Sequence, residues 1–319
     1  MGTTAYGDIS PRTAAYAEKE LLKRALPYLV LEKFGQAKAL PANNSKVEKF
    51  RRYNALSATP AALTEGVTPT AQTLTSTDVT ATLQQYGGTV VVTDVILDTH
   101  EDPVLNEAIG LLGEQAAQQI ENMRFGVVKA GTNVVYANGA ARNAVNTAID
   151  TATQRKAVRT LKRQNARPIT SIVRSTAAFG TENVAPGFVG LIHPDLEGDV
   201  RSMTGFTPAE KYGSISPWEN EIGKVDDCRY VSSTTRAPWA DGGGDKGTML
   251  STTGTKADVY PVIYLGRDAY GIVALKGQYA VTPMVVNAKP SDSDPLAQRA
   301  TVGWKAMQTA VINNQCYMH

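Results

Sequence analysis

The chain has 319 residues, of which 42% are hydrophobic and 19% are charged. This length allows a sizeable core and about two domains, and the low share of charged residues suits a surface covered by other subunits as easily as one covered by water. The formal net charge of +2 is far from the strong basicity of a dedicated nucleic-acid binder. Cys228 and Cys316 lie outside any CxxC or Cys/His cluster, so the sequence predicts neither a disulfide framework nor a zinc site and favours synthesis in a reducing cytosol.

The first predicted element is a helix over residues 11–26. Pro11 stands near the first helical position, where the missing N–H of proline costs little. No basic start followed by an apolar run indicates a signal peptide. Because no window approaches about 18 consecutive apolar residues, we expect no membrane-spanning segment.

Residues 46–97 predict an extended flap. Residues 78–97 are rich in β-branched residues, and residues 46–53 mix apolar side chains with cations. Between them, residues 58–77 contain Pro60, Gly66 and Pro69 and show no helix or strand pattern. The simplest prediction is a long two-stranded hairpin with a loose tip. Because an isolated hairpin is marginally stable in water, a flap of this length predicts a partner on which it lies.

Two features of this flap carry specific expectations. Gly87 and Gly88 interrupt its second strand and predict a bulge or bend. Four cations cluster at its base, and we expect them to pair with acids on an adjacent subunit, which aids register more than affinity. These cations are Lys46, Lys49, Arg51 and Arg52.

The clearest predicted element is an amphipathic helix from residue 103 to about residue 130. Asp102 is a suitable N-cap, Pro103 stands at the first helical position and Gly131 at the C′ position. Three glycines within the helix each weaken intrinsic helicity by about 1 kcal/mol, so we expect packing against a sheet or a neighbour to hold it. Its continuous apolar stripe consists of Leu105, Ile109, Leu112, Ala116, Ile120, Met123 and Val127.

A second helix is predicted over residues 153–165, with Val158 and Leu161 on its buried side. It carries five cations and no acid between them. Two interpretations remain open: a solvated helix face, which is preferred, and a surface that contacts packaged nucleic acid through its phosphates. The five cations are Arg155, Lys156, Arg159, Lys162 and Arg163.

The rest of the chain has the pattern of a mixed α/β region. A His-Pro pair predicts the start of a short helix over residues 195–203, and residues 241–246 predict a flexible surface loop. Residues 299–313 predict a strand that returns to the core. Residues 266–268 predict a hairpin connection between the last two of five strand-like runs. These runs are residues 169–173, 188–192, 228–232, 259–265 and 271–275.

The sequence gives little support to catalysis. It contains no GxxxxGK[ST], no GxGxxG after a strand, and no HExxH or GxSxG motif. His193 is more simply a structural loop residue than a ligand or base, and Asp226 and Asp227 are more simply solvated charges than a cation site. Residues 242–244 lack the helix start and the lysine of a phosphate cradle. We therefore expect no catalytic residues, no metal and no cofactor.

At this point a resemblance is apparent. The order of N-terminal arm, extended loop, long helix and mixed α/β domain resembles the Hong Kong 97-type fold of the major capsid proteins of tailed bacteriophages. The local sequence resembles that of N4-like phage coat proteins in four segments, which span residues 81–305. These segments are Ala81–Gly88 followed by Val92–Asp94, Gly190–Asp195, Glu221–Gly223, and Asp294–Leu296 with Gln298–Arg299 and Thr301–Lys305.

The resemblance implies an α+β fold and a major capsid protein that self-assembles into the icosahedral head shell around double-stranded viral DNA. Implied partners are the chain itself, as pentamers and hexamers, the packaged DNA, and a scaffold, portal or decoration protein. The implied location is the virion, after assembly in the host cytoplasm. An encapsulin-like compartment shell, which holds a protein cargo, and a tail or portal component remain open as alternatives.

The resemblance also implies a role for each part of the chain. The implied parts are an N-terminal arm (1–45), an extended loop over the neighbouring subunit (46–97), a peripheral domain with a spine helix (98–149), an axial domain (150–285) and a return to the peripheral domain (286–319).

A flap that hinges near Gly87 and Gly88 can adapt to the different neighbours in pentamers and hexamers. We expect deletion of residues 58–77 to leave a folded protein that no longer makes regular shells. The predicted subunit contacts are Lys49, Arg51, Arg52, Tyr86, Gly87 and Gly88, and the predicted lumen or DNA contacts are the five cations of helix 153–165.

Overall fold

The computed structural model describes residues 29–60, 62–99, 104–174, 180–213, 217–275, 281–288, 290 and 294–319. The predicted helix over residues 11–26 and the predicted cap residues Asp102 and Pro103 lie outside this part of the chain. Among the residues that the structure describes, no helix is both long and apolar enough to cross a membrane.

The described residues form four α-helices and thirteen β-strands. The helices are α1 (Asp94–Thr99), α2 (Val104–Lys129), α3 (Thr151–Arg163) and α4 (Glu197–Ser202). The strands are β1 (Gln36–Leu40), β2 (Val47–Tyr53), β3 (Ser76–Thr82), β4 (Gln84–Thr93), β5 (Ile169–Arg174), β6 (Gly180–Ile192), β7 (Phe206–Pro208), β8 (Glu221–Val225), β9 (Cys228–Ser232), β10 (Ile263–Leu265), β11 (Tyr270–Leu275), β12 (Thr282–Val286) and β13 (Arg299–Ile312).

A five-stranded sheet is organised around β13, which confirms the predicted C-terminal strand. β4 pairs antiparallel with residues 299–308 of this strand, and β12 pairs antiparallel with residues 301–305. β4 and β12 therefore flank opposite edges of β13. β11 pairs antiparallel with residues 308–312 of β13, and β1 adds to β11 in parallel.

The long helix α2 lies across one face of this sheet, as its apolar stripe predicts. Toward its C-terminal end, Phe125 and Val128 are buried instead of Met123 and Val127, because the helix there also meets the second sheet. Over the first sheet, the buried side chains are Ile109, Leu112, Ala116 and Ile120 of the helix with Val302, Trp304 and Ala306 of β13.

A six-stranded sheet has the order β10-β6-β9-β8-β7, with β5 also paired to β6. β6 and β9 are parallel, and the other pairs are antiparallel. The predicted strands 169–173, 188–192 and 228–232 are confirmed, although β6 begins earlier, at Gly180. Helix α3 packs on this sheet through the predicted Val158 and Leu161.

The predicted hairpin at residues 266–268 is wrong. β10 pairs with β6 of the six-stranded sheet, whereas β11 pairs with β1 and β13 of the five-stranded sheet. The turn therefore carries the chain from one sheet to the other. Leu265 before it and Tyr270 after it are fully buried in one hydrophobic cluster that both sheets share, so both runs look like strands of a common core.

The predicted flexible loop at residues 241–246 is also wrong in part. The Gly243 N–H donates to the Ala257 carbonyl at 2.9 Å, and the Gly244 N–H donates to the Val145 carbonyl at 2.9 Å. A Cβ on Gly243 would lie 2.3 Å from the Val145 carbonyl oxygen and 2.9 Å from that of Ala257. The glycines let three backbone segments touch, which a loop free in solvent does not require.

Candidate subunit-contact surfaces

Residues 47–82 form an extended ribbon, the first candidate contact surface. β2 and β3 pair antiparallel from Val47 with Thr82 to Tyr53 with Ser76. This confirms a two-stranded flap, but its second strand ends at Thr82. The stretch that follows, β4, pairs with β13 in the five-stranded sheet. The sequence assigns it to the flap because a flap strand and a sheet strand share the same period-two pattern.

The base of the extended ribbon is fixed to its own subunit. Phe50 and Ala81 of the ribbon are buried with Leu40 of β1 and Val273 of β11. Lys38 also forms an ion pair with Glu48. These contacts hold the base on the five-stranded sheet, so the ribbon projects from a defined position.

The tip of the ribbon, residues 54–75, is apolar and exposed. The described residues of this tip form no strand, and it begins with a hydrogen bond from Asn54 N to the Thr75 carbonyl at 2.9 Å. Single exposed hydrophobic residues are normal, but four on one projecting loop indicate an interaction surface. They are Leu56, Leu63, Val67 and Leu74, whose exposed fractions lie between 53% and 76%.

The cations of the ribbon do not all point to a neighbour. Arg51 Nε donates to Asp78 Oδ1 at 2.8 Å and its Nη2 donates to Oδ2 at 2.9 Å. This bidentate pair lowers the pKa of Asp78 and gives Arg51 an acid on its own ribbon. Lys49 and Arg52 are exposed and form no ion pair within the described residues, so they stay predicted contacts.

Gly87 and Gly88 lie inside β4 and form no bulge. β4 pairs with β13 in unbroken register from Gln84 to Thr93, so the predicted bend is wrong. A Cβ on Gly87 would lie 2.8 Å from the Trp304 carbonyl oxygen, and one on Gly88 would lie 2.9 Å from Trp304 Nε1. The absence of a side chain at both positions therefore leaves the space that Trp304 occupies. Half-buried Tyr86 packs in the same hydrophobic cluster. Their contacts in the described chain are internal, and their role between subunits stays a prediction.

The face of the five-stranded sheet opposite α2 is a second candidate surface. Val91 and Val286 both pair with Thr301, and Met284 pairs with Gly303. Because successive residues of a strand point to opposite faces, these three side chains point away from α2. Their exposed fractions are 55%, 60% and 45%, so the structure leaves an apolar sheet face open.

Helix α3 carries the third candidate surface. Asp150 caps it, accepting a hydrogen bond from Thr153 N at 2.7 Å. All five predicted cations are exposed. Arg155 Nε donates to Asp226 at 2.8 Å, and Lys162 pairs with Asp227.

The turn between β8 and β9 therefore neutralises two of the five cations on α3. Asp226 and Asp227 are exposed to solvent, as the sequence predicts, and each also pairs with one cation of α3. Lys156, Arg159 and Arg163 have no acidic partner within the described residues. The basic character of α3 thus reduces to these three side chains.

The structure supplies no catalytic or metal centre within the described residues. No group of three or more His, Cys, Asp or Glu side chains there is arranged to hold a metal ion. His193 Nδ1 accepts from Asp195 N at 3.3 Å and its ring lies 5.3 Å from that of Tyr260, which is a structural role. Burial raises the pKa of the Cys228 thiol, so it is not a reactive nucleophile.

The subunit also contains a buried network of charged side chains that the sequence does not predict. Glu121 Oε1 accepts from Arg236 Nη2 at 3.0 Å and from Leu31 N at 3.0 Å, and both charged side chains are fully buried. Nearby, Arg124 Nη2 donates to Gln308 at 2.8 Å. The network joins α2 to β13, to the segment before β1 and to the segment after β9. Its only sequence signal is that Glu121 and Arg124 interrupt the buried stripe of α2.

Comparison with known proteins agrees with this architecture. A sequence model of the family described as "Phage capsid protein" matches residues 76–314, well over half of the chain. No curated protein sequence matches the chain.

Several solved structures with a similar fold are phage capsids. The capsid protein of Ralstonia phage GP4 is similar with a TM-score of 0.67 and 12% identity, over 90% of this chain and 88% of that one. That of cyanophage Pam1 is similar with a TM-score of 0.58 and 14% identity, over 92% and 90%. That of cyanophage P-SCSP1u has a TM-score of 0.56 and 12% identity, over 91% and 86%.

At these identities the structural likeness establishes the fold, and the family match establishes membership. The fold is the α+β Hong Kong 97-type capsid fold that the sequence predicts. This family and fold are those of a structural shell protein rather than of an enzyme. The chain belongs to the phage capsid protein family.

Proposed function

We propose that this capsid protein is the major subunit of an icosahedral phage head that encloses double-stranded DNA, within the N4-like branch of the family. The observation that carries the proposal is the extended ribbon, whose base is buried in its own subunit while its apolar tip projects. Expected partners are further copies of the chain, with a portal, a scaffold or decoration proteins. Assembly is expected in the host cytoplasm.

Each subunit offers both halves of a repeating contact. The ribbon tip, residues 54–75, is one apolar surface, and the sheet face with Val91, Met284 and Val286 is another. A contact between two different surfaces is heterologous, so it repeats head to tail and closes into rings when the rotation allows. Five- and six-membered rings of this kind are the units from which an icosahedral shell is built. We therefore infer that the tip lies over a neighbouring subunit.

The proposed division of the chain follows its two sheets. We assign the five-stranded sheet with α2 to the peripheral domain and the six-stranded sheet with α3 to the axial domain. Since β11 and β12 belong to the five-stranded sheet, the turn at residues 266–268 is a better proposed boundary than residue 285. Of the proposed N-terminal arm, residues 1–45, only residues 1–28 keep that proposed role, because Val30 and Leu31 are buried in the core and β1 belongs to the five-stranded sheet.

Removal of the ribbon tip tests the proposed contact. Replacement of residues 56–73 by an Asn-Gly turn leaves β2, β3 and the hydrogen bonds between Asn54 and Thr75 intact. We expect this variant to stay folded, with an unchanged circular dichroism spectrum, and to form no regular shells in electron micrographs. A matched control is Leu296→Ser, which changes a side chain that is equally apolar and 76% exposed but lies outside the ribbon. Regular shells from the deletion variant would contradict the proposal that the ribbon tip makes a contact needed for assembly.

Substitution of the three cations of α3 that have no acidic partner in the described part of the chain tests whether this helix contacts DNA. We propose that Lys156, Arg159 and Arg163 face the packaged genome and make non-specific phosphate contacts. Lys162 is a poorer choice for reversal, because it pairs with Asp227. We expect the triple change of these three residues to Glu to leave shells intact and to lower the DNA content per particle in a phage complementation assay. Normal shells with unchanged DNA content would show that α3 faces elsewhere.

The contents of purified particles separate this proposal from an encapsulin-like compartment. Co-purified DNA supports a genome shell, whereas a co-purified enzyme cargo supports a compartment. The family match favours the genome shell.

A further inference from the structure

A cavity of about 750 Å³ lies apart from the three contact surfaces. Its walls are mainly the segment 131–149 after α2, the segment 239–264 before and within β10, and residues 318–319. The C-terminal end of α2, the first turn of α3 and residues 196–199 complete the lining. This volume falls within the range of pockets that bind small molecules. Part of the lining is apolar and open to solvent, since Val134 and Leu250 are each more than half exposed.

Two cations meet on one indole ring in the lining. Lys129 Nζ lies 4.0 Å from the ring centroid of Trp239, and the Arg142 guanidinium carbon lies 4.8 Å from it. Neither cation has an acidic partner within the described residues. Burial, followed by the nearby charge of Arg142, lowers the pKa of Lys129. The indole offsets part of this repulsion, and a bound anion would offset more.

The other polar groups of the cavity do not supply that anion. Asp258 is engaged by the backbone N–H groups of Asp241 at 2.7 Å and Thr252 at 3.2 Å, and by the Thr252 hydroxyl at 3.0 Å. The Asp199 carboxylate of α4 also lines the cavity, but it forms no ion pair with Lys129 or Arg142. His319 presents two buried ring nitrogens that have no hydrogen-bond partner. The lining therefore combines apolar side chains with two cations and an imidazole that lack partners.

We propose that this cavity binds a small amphiphile with a carboxylate head and an apolar body. The carboxylate would lie beside Trp239, where the planar fork of Arg142 matches a carboxylate in two parallel hydrogen bonds and Lys129 adds a point charge. The apolar body would lie along Val134 and Leu250. The lining includes none of the side chains proposed above for subunit or DNA contacts, so the proposed binding is a function beyond assembly.

Calorimetric titration of octanoate into the purified full-length protein tests the proposal. We expect saturable binding, and we expect Arg142→Met and Lys129→Met each to weaken it by about tenfold, as for the loss of a charge-assisted contact. Octanol has the same tail without the charge and should bind about tenfold more weakly than octanoate. The control Lys246→Met removes an exposed cation outside the cavity lining and should bind like the unaltered protein.

Several results would overturn the proposal. One is the absence of saturable octanoate binding to the unaltered protein. Another is equal affinity for octanoate in Arg142→Met, Lys129→Met and the control. That result would show that the two cations and the indole stabilise the fold without binding a ligand. If Arg142→Met fails to fold, Arg142→Lys keeps the charge and removes the fork. That variant is expected to bind more weakly than the unaltered protein, and unchanged affinity would contradict the assigned carboxylate position.

Discussion

Gly243 shows at the scale of one residue how tightly the loops of this subunit pack. A side chain there would meet two backbone carbonyls, at 2.3 Å and 2.9 Å, and neither can rotate away. Gly126, on the exposed side of α2, would meet nothing within 4 Å. The two glycines thus differ from what the sequence predicts in opposite ways: Gly243, in a predicted flexible loop, is closely packed, whereas Gly126, in a helix expected to pack closely, faces open space.

The pair Gly243→Ala and Gly126→Ala tests this difference. We expect Gly243→Ala to lower the free energy of unfolding by about 1–3 kcal/mol, as overpacking does. We expect Gly126→Ala to raise it by about 0.5–1 kcal/mol, because alanine favours the helix and restricts the unfolded chain. Urea denaturation of the unassembled subunit measures both. A tolerated alanine at position 243 would show that the loop is not packed as described.

The buried pair Glu121 and Arg236 is the second feature at this scale. Both side chains are fully buried, and Glu121 also accepts the Leu31 N–H. Taking charges out of water is costly, so such a pair contributes more to a unique packing arrangement than to net stability.

Removal of one partner should therefore cost more than removal of both charges together. We expect Arg236→Met to lower the free energy of unfolding by about 3–5 kcal/mol, because it leaves Glu121 charged and unpaired. Glu121→Gln with Arg236→Met should lower it by less than the sum of the two single changes. Strict additivity in a double-mutant cycle would contradict the coupling.

At the scale of one element, α3 depends on its cap. Asp150 accepts the Thr153 N–H at 2.7 Å, and hydrogen bonds from Thr153, from its side chain first and then its backbone, lower the pKa of Asp150 below 3.8. A carboxyl whose pKa is lower in the folded state adds stability above its ordinary pKa, and that stability is lost as the pH falls through the folded value.

Two substitutions at position 150 separate the cap from the charge. We expect Asp150→Ala to cost about 1 kcal/mol at pH 7, since it removes the N-cap. Asp150→Asn should keep most of the cap and lose the additional pH dependence below the ordinary pKa of 3.8. Thermal unfolding of each variant from pH 7 down to pH 3 measures both effects. An Asn variant as unstable as the Ala variant would show that the hydrogen bond is not what stabilises this end.

Elements were predictable where their own pattern decides their structure. The stripe of α2 as far as Ile120 and the strand β13 are local patterns, and the structure confirms both. At the end of α2 the prediction of Met123 and Val127 as buried residues is wrong. The turn at residues 266–268 was not, because the sheet that a strand joins depends on distant partners such as β6 and β13. Gly87 and Gly88 were misread because glycine serves close packing as well as bending. The Glu121–Arg236 pair joins residues 115 positions apart, which no local pattern reveals.

At the scale of the whole molecule, the subunit is stable at its centre and open at two surfaces. One hydrophobic cluster joins both sheets and the end of α2. The ribbon tip and the open sheet face lie outside it and present apolar side chains to solvent. A subunit of this design gains buried apolar area only when copies meet, so assembly is expected to add stability that the isolated chain lacks.

Cryo-electron microscopy of the purified full-length protein, expressed alone and with its candidate scaffold proteins, tests whether the ribbon tip lies on a neighbouring subunit in a closed shell. We expect closed icosahedral shells in which residues 54–75 of each subunit lie on a neighbouring copy. Open tubes, isolated rings under every condition, or shells in which this segment folds back onto its own subunit would contradict the account.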